Sequence, residues 1–228
     1  MKRLILFVTI AAITLCSYGA HQKDWGQIEK YAGANIEQNN NKNNGKRVVL
    51  LGNSITENWV SKHPDFFKKY GYIGRGISGQ TSYQFLVRFR EDVINLHPKV
   101  VVINAGTNDI AENTGPYFED RTMGNIISMV ELAKANKINV ILTSVLPCSK
   151  MYWSGARDVA KKIESLNKRI AEYAKKNKIQ YIDYYSPMVK GPERSLNPNY
   201  TEDGVHPNVD GYMVMEPLLV KAVQKYVK

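Results

Sequence analysis

Two hydrophobic patterns alternate along most of the chain. Short apolar runs occur at 48–51, 72–74, 100–104, 140–144 and 180–183. Continuous runs of this length read as strands buried on both faces. Between them, apolar residues return every three or four positions. Phe85, Leu86, Phe89 and Val93 form one stripe, and Met123, Ile126, Ile127, Val130 and Ala133 another. Val159, Ile163, Leu166, Ile170 and Tyr173 form a third, and 213–227 supplies a closing helix. That spacing buries one helical face against a sheet. Five strands alternating with helices predict an α/β fold, a parallel five-stranded sheet in a three-layer α/β/α domain over 46–228. Ahead of it, 24–37 is helical in pattern, with Trp25, Ile28, Tyr31 and Ile36 on a loose apolar face. Residues 38–45 are mostly asparagine and read as a solvated linker, so 21–45 is expected to pack outside the domain.

The amino end changes the picture. Lys2 and Arg3 precede an apolar run over 4–15, and the small residues Ser17, Gly19 and Ala20 follow. This is the order of a secretory signal peptide, expected over 1–20 with cleavage after Gly19 or Ala20. The run is too short for a permanent bilayer span. An exported protein without stable membrane insertion is therefore expected. Cys16 raises lipid anchoring as an alternative, against which the bulky Leu15 stands directly before it. The other cysteine, Cys148, then has no intrachain partner, and the fold must rest on its core. The net charge of +10 falls to +8 without Lys2 and Arg3. The basic residues are scattered or line one face of a helix (Lys161, Lys162, Lys168, Lys175, Lys176), the pattern of a solvated surface and not of a nucleic-acid groove.

Chemistry concentrates at the ends of the apolar runs. Gly52-Asn53-Ser54-Ile55-Thr56 follows the first run. A serine there would stand at the sheet's carboxyl edge, where ligands of open α/β sheets bind. A serine hydroxyl needs a neighbouring base. His21 sits at the expected cleavage site, and His63 and His97 lie near predicted helix ends. His206 has Asp203 three residues before it across a turn containing Gly204. That spacing lets the carboxylate hold Nδ1–H and leave Nε2 to Ser54. It also allows Asp203 simply to cap a turn. Gly74-Arg75-Gly76-Ile77-Ser78-Gly79 fits the dinucleotide fingerprint, but it follows the second strand, and Glu91 and Asp92 fall inside a predicted helix. No two histidines have ligand spacing, so neither a metal nor another cofactor is expected.

Four ordered stretches, Gly52 to Thr56, Gly76-Ile77-Ser78-Gly79-Gln80, Gly106-Thr107-Asn108-Asp109 and Asp203-Gly204-Val205-His206-Pro207, resemble the sequence blocks of the SGNH/GDSL hydrolase superfamily. The overall layout looks like its bacterial platelet-activating-factor-acetylhydrolase-like subgroup. The resemblance covers about 46–226 and implies a flavodoxin-like strand order. It also implies a Ser54–His206–Asp203 triad and oxyanion donors from the Ser54 N–H, the Gly79 N–H and the Asn108 amide. Gly79 as a plain turn glycine and Asn108 in an Asx turn remain alternatives. Asn53 departs from the family's usual aspartate; it keeps an acceptor oxygen and loses the charge. Trp59, Tyr152 and Trp153 lie where aromatic rings could stack on a sugar, or could anchor loops. Arg75 could meet an anionic group or form a structural ion pair.

These features point to an exported serine esterase removing small O-acyl groups, acetyl foremost, from carbohydrate. The alternatives are a lysophospholipase or thioesterase with the same triad, or a catalytically dead glycan-binding module. Oligomeric state leaves no mark in the sequence.

Overall fold

The computed structural model describes residues 24–41 and 45–227. The expected signal peptide with Cys16, His21, and the middle of the asparagine-rich stretch lie outside the described residues. A 3-10 turn (Ile28–Tyr31) leads into α1 (Ala32–Asn40). There follow β1 (Val48–Gly52), α2 (Ser54–Lys62), α3 (Pro64–Tyr70) and β2 (Tyr72–Gly76). Next come α4 (Ser82–Asp92), β3 (Val100–Ile103), α5 (Thr107–Ile110) and α6 (Glu119–Ala135). Beyond them lie β4 (Asn139–Thr143), α7 (Val159–Lys176), β5 (Gln180–Ile182) and α8 (Tyr185–Met188). A short antiparallel pair, β6 (Val189–Lys190) and β7 (Ser195–Leu196), precedes α9 (Val209–Val223).

The five main strands are all parallel, in the order β2-β1-β3-β4-β5. This is the flavodoxin-like order. The strand order reverses between β1 and β3, and open α/β sheets bind ligands outside the carboxyl ends at that point.

Side chains alternate across the sheet, so each strand feeds two cores. Val49, Leu51, Val101, Ile103, Val140 and Leu142 meet Phe85 and Phe89 of α4, Ile126 and Val130 of α6, and Ile163 and Leu166 of α7. Val48, Leu50, Val100, Val102 and Ile141 face the other way, onto Trp59 of α2, Phe67 of α3, and Tyr212, Met215 and Leu219 of α9. Burial on both faces is why the strands are uninterrupted apolar runs. The lysines of α7 point outward, with Lys162 within 3.6 Å of Glu112. Among the described residues, no helix is long and apolar enough to cross a membrane.

The amino-terminal segment departs from expectation. Its apolar residues do not bury together: Trp25 and Ile36 are 51% and 64% exposed. A polar residue, Asn35, goes inside instead. Its Nδ2 donates to Asp92 Oδ1 at 2.8 Å, and its Oδ1 accepts from Arg75 Nε at 2.8 Å. Gln80 and Gln84 donate to the carbonyls of Gly26 and Trp25, each at 2.8 Å. The segment is therefore docked on α4 and the loop after β2 through hydrogen bonds rather than an apolar face.

Candidate active site

The first functional element is the turn from β1 into α2. Asn53 caps the helix, its Oδ1 accepting the Ile55 N–H at 2.9 Å. Ser54 is the first residue of α2, so its backbone N–H is one of the donors a helix start leaves unpaired, at the positive end of the helix dipole. The turn is packed tightly on β2. A Cβ on Gly76 would sit 2.3 Å from Glu57 N and 2.7 Å from Asn53 O, and one on Gly74 would sit 2.2 Å from Val60 Cγ2. Two glycines of the apparent dinucleotide fingerprint thus serve the close approach of α2 to β2.

The second element is the turn before α9. His206 Nε2 lies 2.9 Å from Ser54 Oγ, and His206 Nδ1 lies 2.6 Å from Asp203 Oδ2. Asp203 Oδ1 accepts the backbone N–H groups of Val205 and His206 at 2.9 and 2.8 Å. The carboxylate therefore caps its turn with one oxygen and holds the ring with the other. Burial pushes the Asp203 carboxyl up, but the bonds from the His206 ring and the two N–H groups override it and hold it down at about 2. An ionised carboxylate can only accept, so Nδ1 carries the imidazole proton and Nε2 is left to accept from Ser54. Thr201 Oγ1 donates to the His206 carbonyl at 2.8 Å, and Tyr212 Oη of α9 donates to Ile55 O at 2.8 Å. The second bond fastens α9, the helix that follows the histidine turn, to the serine-bearing α2.

The third group of residues surrounds Gly79, whose φ of 78° is a left-handed conformation natural to glycine. Glu57 Oε2 accepts the preceding Ser78 N–H at 2.7 Å, and Asn113 Nδ2 donates to Gly79 O at 2.9 Å. Asn108, buried in α5, spends one amide hydrogen on Gln80 O at 3.0 Å, leaving the other. Beneath them, Arg88 is wholly buried. It donates to Asp92 Oδ2 at 2.8 Å, Gln80 Oε1 at 2.6 Å, Gly52 O at 2.9 Å and Arg75 O at 3.0 Å. Asp109, also buried, accepts from Ser82 N at 3.0 Å and Thr122 Oγ1 at 3.2 Å.

Sequence reasoning missed Glu57, Arg88, Asp109 and Asn113 as contributors. Arg88 and Asp92 did leave a signal: charges at helical spacing inside the stripe of Phe85, Phe89 and Val93.

Two sequence expectations need correction. Trp59 is 3% exposed, stacked between Phe66 and Tyr212 with its Nε1 donating to Glu216, so it builds the core and cannot receive a sugar. Arg75 turns to the α4 side of β2, bonded to Asn35 and Gly74 O and lying 4.7 Å from the Tyr31 ring centroid. Buried and bonded in this way, it is closed off from a substrate, and it makes no ion pair among the described residues. Tyr152 is 73% and Trp153 50% exposed, and Trp153 Nε1 donates to Asn113 Oδ1 at 3.0 Å. His63 pairs with Glu216, and His97 ends a short 3-10 turn.

The model of the GDSL-like lipase/acylhydrolase family matches residues 50–214. The chain belongs to that family. Membership places it among hydrolases acting on acyl esters. A solved structure of a Bacteroides fragilis protein assigned as an acylhydrolase is 62% identical, with a TM-score of 0.89, covering 91% of this chain and 100% of that one. A GDSL-like lipase from Bacteroides thetaiotaomicron is 60% identical, with a TM-score of 0.87, covering 89% and 99%. A multidomain esterase of Ruminococcus flavefaciens is 26% identical over 133 residues, which are 58% of this chain and 16% of that curated relative. The chain thus spans only a fraction of that relative's length.

Proposed function

We propose that this GDSL-family chain is an exported serine esterase that removes small O-acyl groups, acetyl foremost, from carbohydrate. The observation that carries the reading is the hydrogen-bonded series Ser54 Oγ, His206, Asp203, at 2.9 and 2.6 Å, beside Gly79 and Asn108. In this reading His206 Nε2 takes the Ser54 proton as Oγ attacks the acyl carbonyl. The oxyanion formed is met by the N–H groups of Ser54 and Gly79 and by the Asn108 amide. Collapse breaks the ester bond, and the leaving alcohol takes the proton from His206. Water, deprotonated by the same nitrogen, then attacks the acyl-serine; the acid leaves as Ser54 Oγ takes that proton back from His206.

Export is supported by the charged, apolar and small-residue order at the amino end. A small acyl group is supported by loops that are short after every strand but β4 and so offer little chain for an acyl tunnel. Ser54→Ala should lower kcat by about 10⁴ to 10⁶ with the fold intact. Across acetyl, butyryl, octanoyl and palmitoyl esters, kcat/KM should fall within a few carbons, because close-packed walls do not yield to added volume. A rise with chain length, about 0.8 kcal/mol per buried methylene, would reject the reading in favour of a lysophospholipase or thioesterase. Negligible activity on all esters together with glycan binding would favour a non-catalytic module.

A further inference from the structure

We propose that Trp153 is the wall on which the alcohol part of the ester, a sugar ring, rests, and that Asn113 ties this wall to the oxyanion glycine. The inference rests on the esterase reading above and adds a subsite and a positioning residue to it.

The geometry is a two-bond relay. Trp153, in the loop after β4, donates its indole N–H to Asn113 Oδ1 at 3.0 Å, and Asn113 Nδ2 donates to Gly79 O at 2.9 Å. Each end of one amide is thereby engaged, and residues 40 and 34 positions apart in the chain are joined at the site. Trp153 remains half exposed. The indole's single polar atom is fixed, so the ring is held in place, and among the described residues no other ring packs on it. Trp59, by contrast, is closed in by Phe66 and Tyr212. A held, open aromatic face next to polar groups matches a pyranose, which offers a C–H face to the ring and hydroxyls to its surroundings. A long acyl chain would need an enclosed apolar groove instead. Since acetyl fills only a small space, the open surface falls to the larger part of the ester, the alcohol.

Asn113 then acts through Gly79. It holds the Gly79 carbonyl, while Glu57 holds the Ser78 N–H on the other side. The Gly79 N–H lies between these two anchors, so its direction is set by both. A sugar resting on Trp153 steadies the indole, the Asn113 amide and, through it, the oxyanion donor. Binding of the alcohol part is in this way spent at the reacting centre.

The test compares kcat and KM for ethyl acetate and an acetylated methyl pyranoside, with thermal melts confirming that each variant folds. In Trp153→Ala the ratio of kcat/KM, pyranoside over ethyl ester, should fall about tenfold, through loss of the ring's apolar contact. Trp153→Phe keeps a ring and loses the N–H; it should retain most of that ratio while lowering kcat on both esters. Asn113→Asp keeps an acceptor for the indole and loses the donor to Gly79. It should lower kcat about tenfold or more on both esters, and further on the pyranoside, whose hold on Trp153 no longer reaches Gly79, with KM nearly unchanged. An unchanged ratio in Trp153→Ala would overturn the subsite. An Asn113→Asp enzyme with wild-type kcat would overturn the positioning role. If the unaltered protein cleaved neither ester, the esterase reading itself would fall, an outcome distinct from these.

Discussion

At Asn53 a single amide is only half used. Its Oδ1 caps α2, while Nδ2 is buried with no partner among the described residues. Aspartate would keep the capping acceptor, remove the orphaned N–H groups and place its charge at the positive end of α2. Asn53→Asp is therefore expected to retain at least a substantial part of the activity in a steady-state assay. Complete loss would show that the neutral amide belongs to the mechanism. Asp203 allows a pH test. Its bonds to His206 and Val205 lower its folded pKa to about 2, against about 3.9 in an unfolded chain. A depressed carboxyl pKa means the native state favours the ionised form. Its contribution to stability is complete above the unfolded value and is lost as the pH falls from about 4 to about 2. Urea midpoints of the native chain and of Asp203→Asn should accordingly converge over that window. A gap that stayed constant down to the acid limit would show that the charge is not what these bonds stabilise.

The elements were legible where the chain is long and apolar. β1, β3 and β4 are runs buried on both faces, and α4, α6 and α7 carry their stripes at helical spacing. Shorter elements were not: α5, α8, β6 and β7 have too few residues for a period to show. β2 reaches Gly76, two residues beyond its apolar stretch, because Gly-Arg-Gly has no apolar signal although it pairs with β1. α9 runs from Val209, capped by Asn208, to Val223, four residues earlier at each end than the stretch expected at 213–227. At the site, Gly79 and Asn108 were named through the family resemblance, while Ser54, Asp203 and His206 stood out as small or polar residues punctuating these runs. Glu57, Arg88 and Asn113 did not, because their meaning lies in partners far along the chain. Arg88 shows how elements are joined here. One buried guanidinium of α4 ties the end of β1 to the loop after β2 while paired with Asp92. Arg88→Met would leave Asp92 as an uncompensated buried charge, and about 3–5 kcal/mol of stability should be lost. Chemical denaturation measures this directly. A loss below about 1 kcal/mol would mean the brace is dispensable.

Across the whole molecule, the strand order gathers loops that are distant in sequence. The turns after β1, β2 and β3 meet beside the switch point, and the turn before α9 brings His206 to Ser54 across 152 positions. The amino-terminal segment joins this assembly through polar bonds and not through the apolar face expected of it. Asn35 is its anchor: it serves Arg75 with its oxygen and Asp92 with its amide, which also reaches Glu91 O at 3.2 Å. Arg75 Nη2 already has no partner among the described residues, so nothing stands ready to replace the lost bond. In Asn35→Ala the buried Arg75 Nε loses its acceptor and Asp92 loses a donor. Leaving a buried polar group unmade costs about 1–3 kcal/mol, and more for a charged one. A total loss of about 2–4 kcal/mol follows, read as a lower urea midpoint at unchanged slope. The loop after β2 should suffer less, because Gln80 and Gln84 still bind the carbonyls of Gly26 and Trp25. Turnover per folded molecule should therefore stay within about threefold of the unaltered chain, well short of what losing an oxyanion donor costs. A stability change within about 0.5 kcal/mol, as for an ordinary surface substitution, would return the segment to the role of an outer passenger.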